Sequence, residues 1–252
     1  MQNKINYFAL SRKGEKNQHN EDSFFVPQYI QQDILKSNGY LFIVCDGVGG
    51  HQAGEIASKF CTEWMQHTFY GFKIKDDFLE FLIDTIKNIN RRMYHFSGRN
   101  PSYRGMATTL VNLLIRENKA YMNNVGDSRI YFYNGKQLRQ ISEDHSLVWE
   151  DYKKGIFPKK MINEMPYKNI ITQAIGLSSV VKINSHELEL PEKFLFLLCS
   201  DGLTDVIEDR ELEKIIENAI GLESCAQKLY DLSQNNKSSD DVTIILVSNY
   251  LE

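Results

Sequence analysis

The stretch Tyr40-Leu41-Phe42-Ile43-Val44-Cys45-Asp46-Gly47 decides the fold. Its apolar run has no polar break, as a strand buried on both faces requires. It then stops on Asp-Gly, with Gly49-Gly50 just behind. The same grammar recurs. Phe194 to Cys199 is a second such run, and Ser200 leads from it into Asp201-Gly202. Asp127 follows Ala120 to Gly126, and Asp240 stands just before Val242-Thr243-Ile244-Ile245-Leu246-Val247. Each apolar strand thus carries a carboxylate at its rim.

Working outward, Ile5 to Leu10 reads as a first strand. A helix is expected from about Ala53 to Tyr70. A second helix is clearer, because Phe78, Leu79, Leu82, Ile86, Ile89, Met93 and Phe96 recur at helical spacing behind Asp76 and Asp77. Thr108 to Ile115, Ala120 to Asn124 and Arg129 to Tyr133 read as strands, and Asn134-Gly135 turns the last of these into Gln137 to Ile141. Trp149 to Asn169 holds Gly155, Pro158 and Pro166 among mixed charges and reads as a mobile excursion with short helices. Val181 to Leu190 and Phe194 to Cys199 follow as strands, then helices over Glu211 to Ala219 and Leu222 to Leu232, then a strand over Val242 to Ser248. Clustered strands and paired helices argue for α+β with mainly antiparallel sheets.

The chain has 252 residues, 42% hydrophobic and 25% charged. That suits one domain, 1–252, whose core needs no disulfide or metal to fold. A net charge of -4 disfavours nucleic acid as a partner. No apolar run approaches the roughly 20 residues that span a bilayer. Cys45, Cys61, Cys199 and Cys225 lack CxxC spacing, and reduced core cysteines suit a cytoplasmic protein.

Four carboxylates at strand ends can converge on one hole. Clustered without a cation they repel and raise one another's pKa; an oxygen-only set favours Mg²⁺, Mn²⁺ or Ca²⁺ over Zn²⁺. Any one Asp-Gly alone is better read as a turn. What distinguishes these is the string in which each sits.

The strings are Gly14 with Asn20-Glu21-Asp22; Asp46-Gly47-Val48-Gly49-Gly50-His51 with Gly54-Glu55; Gly105-Met106-Ala107-Thr108-Thr109; Val125-Gly126-Asp127-Ser128-Arg129; Asp144-His145-Ser146; Ile171 to Gly176; Ser200-Asp201-Gly202-Leu203; and Asp240-Asp241-Val242-Thr243. In this order they resemble the metal-dependent serine/threonine protein phosphatases of type 2C, in their bacterial form, over nearly the whole chain. The resemblance implies a four-layer α-β-β-α sandwich with the metals at one end. It implies that Asp46 bridges two ions of Mn²⁺ or Mg²⁺, that the Gly47 carbonyl joins them, and that Asp201 and Asp240 complete the pair. Glu21 and Asp22 match an acidic pair that acts mostly through water, and Asp127 matches a ligand of a third ion. A hydroxide shared between the ions then attacks phosphorus directly, with no phosphoenzyme. Substrates are phosphorylated proteins, targets of a Ser/Thr kinase, and the chain is expected to be a monomer. The excursion, 147–170, corresponds to the family's flap.

Departures from the family pattern matter. Asn17 stands where a phosphate-binding Arg is usual; Arg12, Lys13 or Lys16 are the substitutes at hand, though a Lys lacks the bidentate geometry. Ala107 replaces a glycine, Asp241 an Asn, and Val48 stands where eukaryotic members carry His. Ser128, Arg129 and Asp144-His145-Ser146 read as structural, the last three as neighbours on one strand that cannot form a relay. Thr108 and Thr109 read as support for the acidic ligands. Two other readings stay open: a sensing module with weak catalysis, favoured by Asn17, and a metal-dependent hydrolase of a small phosphate ester or a nucleic-acid backbone, the latter disfavoured by the acidic net charge.

Overall fold

A computed structural model of the chain describes residues 4–15, 17–48, 52–74 and 77–252. Lys16, Gly49, Gly50, His51 and Asp76 lie outside the described residues. In chain order the elements are β1 (Asn6–Arg12), β2 (Asp22–Phe25), α1 (Gln32–Asn38), β3 (Tyr40–Val48), α2 (Gln52–Gly71), α3 (Phe78–Arg99), β4 (Ala107–Thr108), β5 (Leu110–Arg116), β6 (Lys119–Val125), β7 (Arg129–Tyr133) and β8 (Leu138–Gln140). Then follow α4 (Leu147–Lys153), a 3₁₀ turn (Lys159–Glu164), β9 (Asn184–Glu189), β10 (Leu195–Cys199), α5 (Asp201–Thr204), α6 (Asp209–Glu217), α7 (Leu222–Asn235) and β11 (Val242–Ser248).

Strand β3 explains the layering. Leu41, Ile43 and Cys45 pack against α2 and α3, while Phe42 and Val44 face the opposite way into a cluster with Ile130, Phe196, Leu198 and Ile245. Alternation along a strand sends successive side chains to opposite faces, so a run buried on both faces must lie between two layers. All five of these residues are fully buried, each large apolar one contributing about 2 kcal/mol. β10 does the same in the other sheet: Leu195, Leu197 and Cys199 pack against α6 and α7, and Phe196 and Leu198 face the inter-sheet core. Two antiparallel sheets, ordered β1-β11-β10-β7-β8 and β2-β3-β5-β6-β9 with β4 beside β3, therefore stack with helices on both outer faces. This is the expected α-β-β-α sandwich.

Local signals account for the boundaries. Asp77 caps α3, its carboxylate accepting from the Glu80 N–H at 2.9 Å. The Asn134 side chain accepts the N–H groups of Lys136 and Gln137, both at 3.1 Å, and turns β7 into β8.

Several expectations need correction. The strand expected over Thr108 to Ile115 is broken at Thr109, whose N–H donates to the Asp46 carbonyl at 2.8 Å instead of continuing the ladder. Pairing over Val181 to Leu190 begins only at Asn184, because Val181 and Ile183 pack onto the α2–α3 core. Asp144-His145-Ser146 lies in a loop, not on a strand. The flap, expected as an excursion with short helices, carries α4 and the 3₁₀ turn and packs a small cluster of its own, Val148, Trp149 and Ile162. It is also tied down by Lys168 to Asp205 at 3.0 Å and Lys159 to Asp209 at 3.1 Å.

Candidate active site

At one end of the sandwich, five segments bring carboxylates to a single cleft of about 310 Å³. Asp46 and Gly47 come from the end of β3, Asp201 from the first residue of α5, and Asp240 from just before β11. Asp127 stands in the turn between β6 and β7, and Glu21 just before β2. Asn17, Val48, Thr109, Asp241, Asn169 and Ile171 complete the lining.

The supports are specific. Thr109 Oγ1 accepts from the Asp46 N–H at 2.9 Å, and Thr108 Oγ1 donates to the Asp46 carbonyl at 2.7 Å. The Thr109 and Ser128 hydroxyls are 2.7 Å apart. These bonds hold the backbone on both sides of Asp46 without using its carboxylate. Asp241 does a similar job for the loop between β1 and β2: Oδ1 accepts from the Gly14 N–H and Oδ2 from the Glu21 N–H, both at 2.7 Å.

Two glycines make the approach possible. A Cβ on Gly54, in the first turn of α2, would stand 2.1 Å from Glu21 Oε2. A Cβ on Gly47 would stand 2.3 Å from the Gly54 carbonyl oxygen and 2.7 Å from that of Glu21. Nothing larger than glycine lets α2, β3 and the Glu21 loop meet here.

The electrostatics follow from burial and crowding. Burial, then the carboxylates of Asp22, Asp201, Asp127 and Asp240, push Asp46 well up from the usual carboxylate range. Burial, then Asp205 and Asp240, lift Asp201 to about 7. Glu21 rises to about 7 through burial and the carboxylates of Asp241, Asp240 and Glu55. Asp127 is pushed well up by burial and then by Asp201 and Asp144. Two like charges about 4 Å apart at an effective dielectric near 20 repel by about 4 kcal/mol, more than the roughly 1 kcal/mol net worth of a neutral hydrogen bond. Protons or cations must therefore settle the cluster.

A divalent ion fits this donor set. Asp201 Oδ1 and Asp22 Oδ1 are buried with no hydrogen-bond partner, and the acidic donors are all oxygen, the preference of Mg²⁺ and Mn²⁺. Among the described residues no three His, Cys, Asp or Glu side chains already converge on one ion-sized point. The carboxylates surround a cleft instead.

The remaining expected residues divide. Asn17 is at the cleft, its Nδ2 donating to Asp240 Oδ1 at 3.3 Å. Asp22 does not line the cleft; it sits behind it, half-buried with its Oδ1 enclosed, accepting from Ser200 Oγ at 2.7 Å and lifted to about 8, chiefly by desolvation. Arg12 is displaced. It shares the strand face of Leu10, which packs toward the helical layer, and its Nη1 donates to the Ser11 carbonyl at 3.1 Å. It does not line the cleft. Lys13 binds the carbonyls of Gly14 and Asn17, at 3.1 and 2.5 Å, and so shapes the loop.

Asp144, His145 and Ser146 are each committed elsewhere. Asp144 pairs with Arg129 through contacts of 2.6 to 3.1 Å, His145 Nδ1 accepts from the Gly126 N–H at 3.2 Å, and Ser146 caps α4. Burial lifts Asp144 even beside Arg129, whereas that carboxylate holds Arg129 firmly protonated. The two shifts point opposite ways on the value of the pair; its close geometry shows that it forms, at a desolvation cost. Sequence reasoning missed Asn169 and Lys168, at the flap's base, for neither sits in a strand-end string. Lys168 stands with Asp127, Arg129 and Asp201 around a narrow adjoining recess.

An oxygen-lined acidic cleft at the end of an α-β-β-α sandwich is the arrangement of a metal-dependent phosphate-ester hydrolase. The family pattern described as protein phosphatase 2C matches residues 12–239. The serine/threonine phosphatase stp of Listeria monocytogenes is 31% identical over 240 residues, 93% of this chain and 92% of that one. Protein phosphatase PhpP of Streptococcus pneumoniae is 32% identical over 249 residues, 95% of each chain. The crystal structure of serine/threonine phosphatase Stp1 from Staphylococcus aureus superposes with a TM-score of 0.90 at 33% identity, covering 97% of this chain and 95% of that one. The chain belongs to the protein phosphatase 2C family, whose members depend on metal, generally Mn²⁺ or Mg²⁺.

Proposed function

We propose that this protein hydrolyses phosphoserine and phosphothreonine on other proteins, using two Mn²⁺ or Mg²⁺ ions and a third beside Asp127. The observation that carries the reading is the convergence of Glu21, Asp46, Asp127, Asp201 and Asp240 on one cleft, together with relatives named as serine/threonine phosphatases. Asp46, the Gly47 carbonyl, Asp201 and Asp240 are the proposed ligands of the paired ions. Asp127 and Asp201 are those of the third, and Glu21 acts through water. Asp22 orients Ser200 from behind.

When bound, the ions supply an activated water and offset charge on the phosphoryl oxygens, so attack on phosphorus is direct and no phosphoenzyme forms. The chain's own part is preorganisation. Thr108 and Thr109 fix the Asp46 backbone, Asp241 fixes the loop that carries Asn17 and Glu21, and the Asn17 amide is a donor at the cleft for a phosphoryl oxygen. No cysteine serves as nucleophile: Cys199 is buried and its thiol is pushed up to about 12 by that burial. Residues 1–252 act as one catalytic unit, since the first strand pairs with the last. The protein works as a cytoplasmic monomer on the targets of a Ser/Thr kinase.

Phosphate release from matched phosphoserine, phosphothreonine and phosphotyrosine peptides, compared with nucleotides and with Mn²⁺ present, tests the reading. Preference for the first two is the expected result. Faster turnover of nucleotides would favour a small-ester hydrolase instead.

A further inference from the structure

Away from the cleft, α2 and α3 enclose an open groove of about 610 Å³ on the outer helical layer. Phe60 and Trp64 of α2 form one wall, and Arg91, Arg92, His95 and Arg99 of α3 the other. The two aromatic residues are half-buried, and the four basic ones are exposed. Arg92 lies over the Trp64 ring, 4.5 Å from its centroid. Among the described residues no carboxylate lines the groove, and none of the three guanidinium groups is in an ion pair.

Part of this has an ordinary explanation. Cations in the last turn of a helix complement its dipole, which accounts for Arg99. Arg91 and Arg92 lie two turns earlier, beyond the reach of that effect. Arg91 and Arg92 stand four and three residues from His95, on the same face of the helix. In a chain of net charge -4, a cationic wall that meets no carboxylate, with only Arg92 resting on the Trp64 ring, points to an acidic partner from outside.

We propose that this groove docks an acidic segment of the phosphoprotein substrate, a proposal that rests on the protein phosphatase reading above. Arg91 to Arg99 spans about 12 Å of helix, the length of about four extended residues. Carboxylates spaced along such a segment meet the guanidinium groups, and one apolar side chain fits between Phe60 and Trp64. The helix that forms one wall of the groove begins at the active site. Gly54 of α2 backs onto Gly47, and Phe60 lies only about 9 Å further along the helix. Ala107, which pairs with Val48, follows the end of α3 by eight residues. A substrate held here presents a phosphorylated residue roughly six to eight extended residues away. A recessed aromatic wall suits a single peptide better than a flat membrane, and the chain's negative charge disfavours a nucleic acid.

The test uses a phosphothreonine peptide joined, eight residues away on either side, to an Asp/Glu-rich tetrapeptide or to its Asn/Gln counterpart. In the wild type, the acidic peptide should have a KM about tenfold lower. In Arg91→Ser/Arg92→Ser/Arg99→Ser the advantage should fall below twofold, while kcat/KM for p-nitrophenyl phosphate stays unchanged. Arg91→Ser/Arg99→Ser keeps the Arg92–Trp64 stack and replaces the triple variant if that one fails to fold. Equal KM values in the wild type, or an undiminished advantage in the variant, would overturn the proposal. So would displacement of a labelled acidic peptide by an RNA oligonucleotide or by phosphatidylglycerol vesicles at lower concentration. If neither p-nitrophenyl phosphate nor any phosphopeptide is hydrolysed, the phosphatase reading fails. Fluorescence anisotropy with the unphosphorylated acidic peptide still decides the docking in that case.

Discussion

Asp22 and Asp46 are direct cross-strand partners on the antiparallel pair β2 and β3. Like charges placed opposite one another destabilise a sheet, and both carboxylates are pushed up by burial in this structure. Protons or a cation must offset that cost. The arrangement trades stability of the metal-free fold for a preformed acidic site.

Removing one carboxylate should therefore separate stability from function. Asp46→Asn and Asp201→Asn are expected to melt, without metal, no lower than the wild type. Each should lose the rise in Tm that Mn²⁺ produces, and each should lose at least about 100-fold in kcat, the scale of removing a key electrostatic stabiliser. Wild-type turnover in either variant would remove its carboxylate from the mechanism.

The pH dependence of the metal-free protein has a defined sign. Asp22 and Asp201 move from ordinary values of 3.8 to about 8 and about 7 in the fold. Between about pH 4 and 8 the native state thus holds protons that the unfolded chain has lost. Their contribution to stability is complete below pH 4 and is lost as pH rises through 7 and 8, by up to about 1.4 kcal/mol per pH unit for each proton. In chelator, Tm should fall from pH 5.5 to 8, and Asp22→Asn should flatten that fall. Mn²⁺ binding should release protons near pH 6, measurable by titration calorimetry in two buffers of different ionisation enthalpy. Equal slopes for wild type and Asp22→Asn would contradict the assignment.

Asn17 donates to Asp240 where the family usually places an arginine. Asn17→Arg should lower KM for a phosphopeptide about three- to tenfold, since a guanidinium pairs with phosphate more strongly than an amide does. An unchanged KM would show that another donor already holds the phosphate.

Asp241 satisfies two backbone N–H groups at once. Asp241→Ala leaves both without a partner, at about 1–3 kcal/mol each where they are buried, and frees the Asn17 loop. KM should rise together with the loss of thermal stability, and Asp241→Asn, which keeps one acceptor, should fall between. A variant with wild-type KM but lower Tm would confine Asp241 to folding.

Much of the fold was legible: runs such as Leu41 to Cys45 marked β3 and β10 as strands buried on both faces, the clustering of strands pointed to antiparallel sheets, and the ordered motifs supplied the four-layer sandwich by resemblance. Strand β2 was not. Its four residues, Asp-Ser-Phe-Phe, follow the Asn20-Glu21-Asp22 string, and too short a period survives to be read. Helix α1 was missed for the same reason, being seven residues long. At the site, carboxylates at strand ends were found from sequence, since Asp46, Asp127, Asp201 and Asp240 each close or open an apolar run. Asn169 and Lys168 were not, because the folding of the flap brings the first to the cleft and the second to the adjoining recess. Arg12 was misplaced because strand alternation, not distance along the chain, sets which side of the sheet a residue occupies.

The central claim is that these carboxylates hold the ions that make the protein a phosphatase. The most direct measurement is the rate of phosphate release from a phosphothreonine peptide as Mn²⁺ is titrated into chelator-treated wild type and Asp46→Asn. Saturable activation of the wild type, abolished again by chelator and missing from the variant, is the predicted result. Turnover without metal, or the same activation in both proteins, would contradict it.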